Sequence, residues 1–409
     1  MPLCRYPNLL SDIRARCRLS LCPASRHVMR CAAVLVCLWC LAGCTGGSGV
    51  PEAVSLGVQE RGFTTERLQA RDIVEESHRY RASAPQRSHG SAVLAYLTPW
   101  NGGGAEAAVR HAAKLTHVAP CWHAVRFESG ALVVTPLAEA EAAQAWSTRV
   151  RAANSALHLV PRLALELDGP GVHAVLQRPG MLADAVAQLC AKHGYDGAVL
   201  DGLAAWLSAG LPLAQLTAVI APLSRSLRGD GRQLLLAIPA TFTATALTAL
   251  APDVDYFSLM SYDASVHAGR AGPNAPLPWV QASLASLFSA QADGVVVDPD
   301  SLHTPSIRQT KQVLLGLNFY GWSFAAGRQA EARLGHDIVA AMKQHAPRLH
   351  WDADAAEHWF ELEEGSTKQT VWYPTPASVK SRVELARRTG TGIAIWELGQ
   401  GQEWFYDLL

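Results

Sequence analysis

The sequence predicts an α/β protein whose parallel strands close into a (β/α)8 TIM barrel, with a small α+β insertion, a β-hairpin, before the last helix. Eight short apolar runs alternate with amphipathic helical patterns between about residues 92 and 398. Continuously apolar strands indicate a parallel sheet covered on its outer face, because half-exposed strands alternate apolar and polar residues. Eight such units close a barrel of about 250 residues or more. The 409 residues of the chain are long enough to contain one.

The eight predicted strands share short apolar runs rich in Leu, Val, Ile and aromatic residues. They are predicted at 92–100, 114–120, 157–166, 196–202, 232–240, 255–263, 312–321 and 391–398. Between them, apolar residues recur at helical spacing. The clearest of these helical stretches are 137–155, 181–193 and 376–390.

Three segments lie outside the regular alternation. Residues 349–376 contain two aromatic-rich runs around "EEGSTK", a pattern typical of a β-hairpin. Residues 45–56 are rich in Gly and Ser and are expected to be disordered. We expect residues 57–90 to form a partly helical lead-in that packs on the outside of a barrel at 91–409. Residues 1–44 are expected to be a targeting segment.

The charge distribution supports this view of the N-terminus. The formal net charge is zero, but residues 1–44 carry six Arg and one Asp, which leaves 29 basic and 34 acidic residues elsewhere. A nucleic-acid-binding protein should show a basic patch instead, so that class is excluded. "MRCAAVLVCLWCLAGC", from Met29, joins a positive residue to a short apolar run, as in a secretory signal peptide. The sequence therefore predicts a secreted or lysosomal protein that is not integral to a membrane after cleavage.

The targeting segment leaves two alternatives open. Either Met29 is the true start, or residues 1–28 belong to a long signal. "LAGC" also resembles a bacterial lipoprotein cleavage box with Cys44 as the acylated residue, although in a secreted eukaryotic protein the match would be a coincidence. Seven of the nine Cys lie in residues 1–44, so only Cys121 and Cys190 remain, either bridged or as buried thiols. They have no metal-ligand spacing, and we expect neither metal nor cofactor.

Candidate site residues were sought at the carboxyl ends of the strands, where the active sites of such barrels are built. These ends carry aromatic, amide and carboxylate side chains, a mixture that stacks on sugar rings and bonds their hydroxyls. They are Trp100, Asn101, Trp122, His123, Glu166, Asp201, Tyr262, Asp263, Asn318, Tyr320, Trp396 and Glu397. A single strand-end Trp is more often a core residue, and Glu166 and Glu397 could equally be solvated loop acids. Together the residues predict a carbohydrate-binding cleft.

Four segments resemble glycoside hydrolase family 18, the chitinase-like barrels. "YDGAVLDGL" (195–203) resembles the family's D-G-x-D-x-D-x-E strand, whose final Glu is the general acid. "MSYD", "GLNFYG" and "IWEL" are similar to its sixth, seventh and eighth strands. "LAYLTPWN", "GPNAPLPWV", "LLGLNFYGW" and "WELGQGQEWFYDLL" resemble its chitinase domain-containing branch more closely. The resemblance covers roughly residues 57–409.

The departure from the family pattern concerns Val199, Asp201 and Leu203. Residues two apart on a strand face the same side, so the three are predicted to point into the barrel, with Leu203 nearest the mouth. The family carries Asp, Asp and Glu there. Leu203 has no proton to donate, so the resemblance implies that the catalytic residue is lost and that Asp201 is a retained acid. The chitinase domain-containing branch also lacks the catalytic Glu, but has Glu at the position of Asp201.

The resemblance also implies binding roles for several strand-end residues. Tyr262 and Asp263 match the pair that bonds the N-acetyl group and hydroxyls of the sugar, and Trp396 matches the floor of the central subsite. The predicted substrate-binding residues are Trp100, Trp122, Asp201, Tyr262, Asp263, Asn318, Tyr320 and Trp396.

The first hypothesis is a secreted, non-catalytic lectin for chitin-type N-acetylglucosamine oligomers. The related branch adds lipopolysaccharide as a ligand and a sorting or scavenger receptor as a partner. Two alternatives remain open. One is a residual glycosidase that uses Asp201, Glu166 or Glu397, and the other is an interaction scaffold that relies on the hairpin at 349–376.

Overall fold

The computed structural model describes residues 50–82, 87–289, 307–365 and 367–409, so the predicted targeting segment, with Met29 and Cys44, lies outside these ranges. The strands are β1 Glu52–Val54, β2 Arg79–Arg81, β3 Val93–Leu97, β4 His117–Pro120, β5 His123–Glu128, β6 Ala131–Pro136, β7 His158–Leu159, β8 Arg162–Leu165, β9 Gly197–Asp201, β10 Gln233–Pro239, β11 Tyr256–Met260, β12 Val313–Asn318, β13 Gly321–Ala325, β14 Glu331–Arg333, β15 His350–Asp352, β16 Glu357–Glu364, β17 Thr367–Tyr373 and β18 Gly392–Trp396. The helices are α1 Ala70–Glu76, α2 Gly103–Arg110, α3 Ala140–Ala153, α4 Gly169–Gln177, α5 Gly180–His193, α6 Leu203–Ser208, α7 Leu213–Gly229, α8 Ala244–Leu250, α9 Ala264–His267, α10 Leu277–Phe288, α11 Ile307–Gln312, α12 Gly335–His345 and α13 Pro376–Thr389. Short 3₁₀ helices span Ala112–Lys114 and Glu403–Leu408.

The predicted (β/α)8 TIM barrel is confirmed. Its parallel strands run in the order β3, β4, β7 with β8, β9, β10, β11, β12, β18 and back to β3. The third strand is divided at Pro161, which has no backbone N–H to donate. Val160 and Pro161 link β7 to β8. Val160 N donates to Val118 O at 3.0 Å on one side, and Val199 N donates to Pro161 O at 2.9 Å on the other, so these two residues close the ring of strands.

Two apolar clusters lie on the two sides of the barrel wall. Leu94 and Tyr96 of β3 pack inside with Val199 and other inward-facing residues. Val93 and Ala95 of the same strand pack outside, in the larger cluster with the helices. This alternation is the period of two expected of strands. The interior of the barrel is therefore a filled core.

A hairpin that the sequence analysis did not predict follows β4. Strand β5 pairs in parallel with β8 and antiparallel with β6, which extends the barrel sheet to eleven strands. Half-buried and exposed side chains alternate along the first part of β6, so one face of this strand packs on the protein and the other faces solvent. The hairpin contacts α5 through β6 and α4 through β5.

The insertion before the last helix is larger than the hairpin predicted at 349–376. Strands β16 and β17 form that hairpin, and β15 pairs with β16. The same antiparallel sheet also contains β13 and β14, in the order β14, β13, β17, β16, β15, with α12 between β14 and β15. Since β13 starts only three residues after β12, the insertion leaves the barrel directly from the mouth.

The lead-in contains more regular structure than expected. Glu52–Val54, in the stretch expected to be disordered, forms β1, which pairs in parallel with β2. Glu52 N donates to His78 O at 2.9 Å. Helix α1 contacts α12 of the insertion. In the described part of the chain, no helix has the length and apolar character needed to cross a bilayer.

Candidate functional site

The deepest charged groups of the cleft form an ion pair between two neighbouring strands. Arg162, the first residue of β8, donates from Nε to Oδ2 of Asp201, the last residue of β9, at 2.7 Å. Its Nη2 lies 2.5 Å from the same oxygen. Burial lowers the pKa of Arg162, but Asp201 and Cys121 raise it, and the resulting pKa lies above the ordinary value. The guanidinium therefore stays charged and engages one oxygen of Asp201.

Trp396 is the last residue of β18, at the carboxyl end of the strand. Its ring centroid lies 5.2 Å from that of Tyr96, and the guanidinium carbon of Arg162 lies 6.0 Å from it. Tyr96 is buried and donates to Ser258 Oγ at 2.9 Å. Trp396 itself is half-buried, so part of the indole stays accessible from the mouth.

A second carboxylate, Asp263, projects from the loop after β11. Its Oδ1 accepts hydrogen bonds from Tyr320 Oη and, at 2.8 Å, from Trp322 Nε1. Burial raises the pKa of Tyr320 well above its ordinary value, so the hydroxyl stays protonated and donates. The ring centroid of Tyr262 lies 6.2 Å from that of Tyr320. No donor among the described residues bonds Oδ2 of Asp263, which remains available to a ligand hydroxyl.

The backbone around Asp263 is held in an unusual conformation. Asp263 has φ +67°, in the left-handed region that residues with a side chain rarely adopt. Its N–H donates to Asn274 Oδ1 at 2.7 Å. Asn318, at the end of β12, is buried and donates from Nδ2 to Tyr320 O at 2.9 Å. Asn318 thus supports the loop that carries Tyr320 and does not face the ligand space with a free amide.

The prediction that Leu203 points into the barrel is wrong. Strand β9 ends at Asp201, and Gly202 has φ +116°, which breaks the alternation of sides before α6 begins at Leu203. A Cβ at Gly202 would lie 3.2 Å from Leu165 O, so the turn depends on glycine. Leu203 is 2% exposed and packs in the larger apolar cluster, which also contains Tyr262 and Tyr320, whereas Val199 packs in the interior one.

Two other aromatic residues predicted to contact the ligand, Trp122 and Trp100, differ in their surroundings. Trp122 is buried in the outer cluster, with its ring centroid 5.2 Å from that of Trp146 of α3. It is therefore a core residue, because the hairpin that follows β4 turns it away from the mouth. Trp100 is 64% exposed in the turn after β3. Its neighbour Asn101 donates to Glu397 Oε1 at 2.6 Å, which places this turn at the rim beside β18.

The other candidate carboxylates are engaged in structural contacts. Glu397 is fully buried and accepts hydrogen bonds from Asn101, Thr98 N and Gly399 N. Burial raises the pKa of Glu397, while these donors lower it to a smaller extent. Glu166 is about half exposed and pairs with Arg126 at 2.6 Å on the outer surface. Neither residue presents a free carboxyl group to the cleft.

Thiols and possible metal ligands are few in the described ranges. Cys121 and Cys190 are both free and buried, the first inside the barrel and the second in the outer cluster. Burial raises the pKa of each thiol to about 12, so both stay protonated and unreactive. Across these ranges, no three His, Cys, Asp or Glu side chains converge in a way that could hold a metal ion.

The structure thus brings together Asp201, Tyr262, Asp263, Tyr320 and Trp396. The sequence analysis missed Arg162, Tyr96, Trp322 and Asn274. Arg162 carried a usable signal, because a charge within an apolar strand needs a buried partner. Asn274 carried no signal in the sequence, because it lies in a loop without a periodic pattern. Its role depends on contacts with Asp263, Tyr320 and Glu357, which lie elsewhere in the chain.

Comparisons with known proteins agree with this architecture. The model of the glycosyl hydrolases family 18 matches residues 92–401, more than half of the chain. A chitinase from Chromobacterium violaceum is 21% identical, with a TM-score of 0.64, over 78% of this chain and 98% of that one. The spore cortex-lytic enzyme SleL of Bacillus megaterium is 15% identical, with a TM-score of 0.60, over 80% and 74% of the respective chains.

A further similar structure is solved with a sugar bound. The family 18 chitinase of Cycas revoluta, a double mutant in complex with (GlcNAc)4, is 13% identical with a TM-score of 0.59. The match covers 78% of this chain and 98% of that one. At such identities, the likeness to all three solved structures establishes a shared fold.

Proposed function

The chain belongs to glycosyl hydrolase family 18, and from this premise we propose that it is a non-catalytic, chitinase-like lectin for N-acetylglucosamine oligosaccharides. One observation carries the proposal: the cleft keeps its binding groups, while Leu203, which stands in the sequence where the family pattern has the general acid, is buried and has no proton to donate. Trp396 offers an aromatic floor, and Asp263 offers a carboxylate oxygen without a partner in the described chain. The Cycas revoluta neighbour binds (GlcNAc)4 on the same fold.

The state of the remaining carboxylates supports binding without hydrolysis. Cleavage of a glycosidic bond requires a carboxylic acid that protonates the leaving oxygen. Such general-acid assistance is worth about 10²–10⁴-fold in rate. Asp201 is paired with Arg162, and Asp263 accepts hydrogen bonds from Tyr320 and Trp322. Neither is placed to give up a proton.

A residual glycosidase is the second candidate, because Glu397 combines burial with a raised pKa beside Trp396. A raised pKa is what a general acid needs near neutral pH. However, Glu397 Oε1 is bonded by Asn101 at 2.6 Å, and Oε2 accepts from two backbone N–H groups. The carboxyl group would have to leave these partners to reach a substrate, so the lectin is the better supported function.

We further propose that, within the family, the chain is related to chitinase domain-containing protein 1, the stabilin-interacting chitinase-like protein. The four segments quoted above and the absence of the catalytic Glu support this relation. It would add lipopolysaccharide as a ligand, a sorting or scavenger receptor as a partner, and secretion as the route. Asp201 in place of Glu is the point at which this chain departs from that branch.

The Trp396→Ala variant is expected to weaken chitin-oligomer binding about thirtyfold. Truncating a buried aromatic contact at a binding site typically costs about 2 kcal/mol or more, and about 1.4 kcal/mol corresponds to tenfold in affinity. Isothermal titration calorimetry with N-acetylglucosamine oligomers measures the change. Turnover of the same oligomers, assayed in parallel, separates the lectin from the glycosidase.

Asp263→Asn is the matched control, because it keeps the volume of the side chain and removes its charge. It should weaken binding without the cavity that Trp396→Ala leaves in the floor. If the wild type binds oligomers, both variants keep the wild-type circular dichroism spectrum and neither loses affinity, the cleft is not the binding site. The scaffold hypothesis would then stand in its place.

A further inference from the structure

A buried ion pair fixes the insertion to the barrel. Arg382 of α13 and Glu357 of β16 lie 3.1 Å apart, with side chains 4% and 1% exposed. Arg382 also donates to Ala356 O and Ser378 O, at 2.8 and 3.0 Å. Charges this deeply buried are stable only when their remaining hydrogen-bonding capacity is satisfied. The carboxylate of Glu357 uses its remaining acceptor positions for backbone N–H groups of a loop at the cleft.

The two oxygens of Glu357 hold the loop that follows β11. Oε2 accepts from Asn274 N at 2.9 Å, and Oε1 accepts from Ala275 N at 2.7 Å. Glu357 and Asn274 are 83 positions apart in the chain, so this contact joins the insertion to the barrel mouth. Asn274 is fully buried and has no freedom to move independently of the carboxylate.

From Asn274 the contacts lead directly to the candidate site. Asn274 Oδ1 accepts from Asp263 N at 2.7 Å, and its backbone oxygen accepts from Ala264 N at 2.9 Å. Its Nδ2 donates to Tyr320 O at 3.2 Å. These bonds hold Asp263 in its left-handed conformation, with its carboxylate against Tyr320 and Trp322.

We propose that Glu357 is a positioning residue for sugar binding: it fixes Asn274 and thereby the backbone and carboxylate of Asp263. The inference rests on the proposed function, because Asp263 is taken as a group that contacts the sugar. Glu357 contacts Arg382 and the loop, and acts on the ligand only through Asp263. Docking of the insertion and the shape of the binding cleft are therefore coupled.

Glu357→Gln tests this role with a side chain of the same shape. Asn274 N and Ala275 N bond different oxygens of Glu357, and a glutamine replaces one of these oxygens by an NH2 group, which only donates. One of the two N–H groups therefore loses its acceptor, and the charge that faces Arg382 is removed. We expect the affinity for N-acetylglucosamine oligomers to fall roughly tenfold, as positioning contacts of this kind commonly do. Glu361→Gln is the matched control on the same strand, because Glu361 is exposed and pairs with Lys368 on the surface. That variant should bind like the wild type.

A double-mutant cycle distinguishes positioning from a general structural effect. If Glu357 acts through Asp263, its substitution should change affinity less than twofold in an Asp263→Asn background, because both changes affect one group. Equal losses in the two backgrounds would overturn the proposal.

A second readout does not depend on sugar. In a ¹⁵N-labelled sample, the indole N–H signal of Trp322, assigned with Trp322→Phe, reports its hydrogen bond to Asp263. Glu357→Gln should shift this signal and Glu361→Gln should leave it in place. If the wild type fails to bind oligomers, the proposed function is wrong, and the indole signal still decides the positioning role of Glu357.

Asn274→Ala provides a variant that leaves the buried ion pair intact. It removes the acceptor of the Asp263 N–H, while its own N–H can still donate to Glu357. It should shift the Trp322 indole signal and weaken binding as Glu357→Gln does, and it decides the matter if Glu357→Gln does not fold. Unchanged affinity together with an unchanged indole signal in a folded variant would overturn the proposal.

Discussion

Lowering the pH from 7 to 5 is expected to reduce the free energy of unfolding of this protein, through a contribution of about 5–6 kcal/mol that buried acids oppose in part. The cause is a set of buried, neutral histidines. Burial lowers the pKa of His117, His123 and His358 to about 4 in each case. In the unfolded chain a histidine titrates near pH 6.5.

The direction follows from where the protons bind. Between pH 6.5 and 4 the unfolded chain takes up protons that these three folded side chains refuse, so stability falls as the pH falls. Each histidine contributes about 2 kcal/mol of loss at pH 5, and about 3.4 kcal/mol well below pH 4. Since a domain is typically stable by about 5–15 kcal/mol in total, the barrel should unfold as the pH approaches 4.

The surroundings of each histidine explain why protonation is disfavoured. His117 lies inside the base of the barrel and stacks on His158, whose ring centroid is 5.0 Å away. His123 lies outside the wall, 5.8 Å from the ring centroid of His193 and near Lys192. In both places a second basic group adds to the effect of burial.

Buried acids oppose this loss in part. Burial raises the pKa of Glu357, Glu397 and Asp407, so each favours the folded state as the pH falls and loses that contribution as the pH rises. Denaturant unfolding at pH values from 7.5 to 4.5 measures the net effect. His358→Gln removes one titrating group and should make the slope shallower. A free energy of unfolding that stays constant from pH 7 to pH 5 would contradict the prediction.

This pH dependence bears on the compartment in which the protein works. The sequence left secretion and the lysosome open as destinations. Loss of stability below pH 6.5 favours the near-neutral extracellular space, which we propose as the working environment. Retention of the folded state at pH 4.5 would favour the lysosome instead.

Leu203→Glu is expected to destabilise the protein by about 3–4 kcal/mol at pH 7 through ionisation alone, beyond the cost of Leu203→Gln, and to create no chitinase. The family pattern suggests that this substitution would restore the general acid. Leu203 instead is buried at the start of α6, 2% exposed, directly after the turn at Gly202. A carboxylate there would be buried without a partner, and burial typically raises such a pKa by about 3–5 units.

Leu203→Gln is the matched control, because it has the shape of Glu without the charge. The two variants should differ strongly in stability at pH 8 and less at pH 6, since the new carboxyl group regains stability as it becomes protonated. Urea unfolding and a chitin-oligomer turnover assay measure both expectations. Efficient turnover by Leu203→Glu, together with stability equal to that of Leu203→Gln, would show that position 203 faces the cleft.

The sequence alone was enough to determine the barrel. Each of the eight strands is a short run of apolar residues, and such a run can be recognised in the sequence without knowledge of its neighbours in space. The runs therefore locate the strands within a few positions. The strand ends likewise identified Asp201, Tyr262, Asp263 and Trp396, because the carboxyl ends of parallel strands meet at one face of a barrel.

Only the tertiary structure decided the chemistry of the cleft. The place of Leu203 depends on a positive φ at Gly202, which a motif aligned by spacing does not reveal. The pairing of Arg162 with Asp201 joins positions 39 apart in the chain, and the contact of Glu357 with Asn274 joins positions 83 apart. Local patterns determine which residues form strands, because those forces act between near neighbours. The charged residues that meet in the cleft are far apart in the sequence, and only the folding of the whole chain into a closed barrel brings them together.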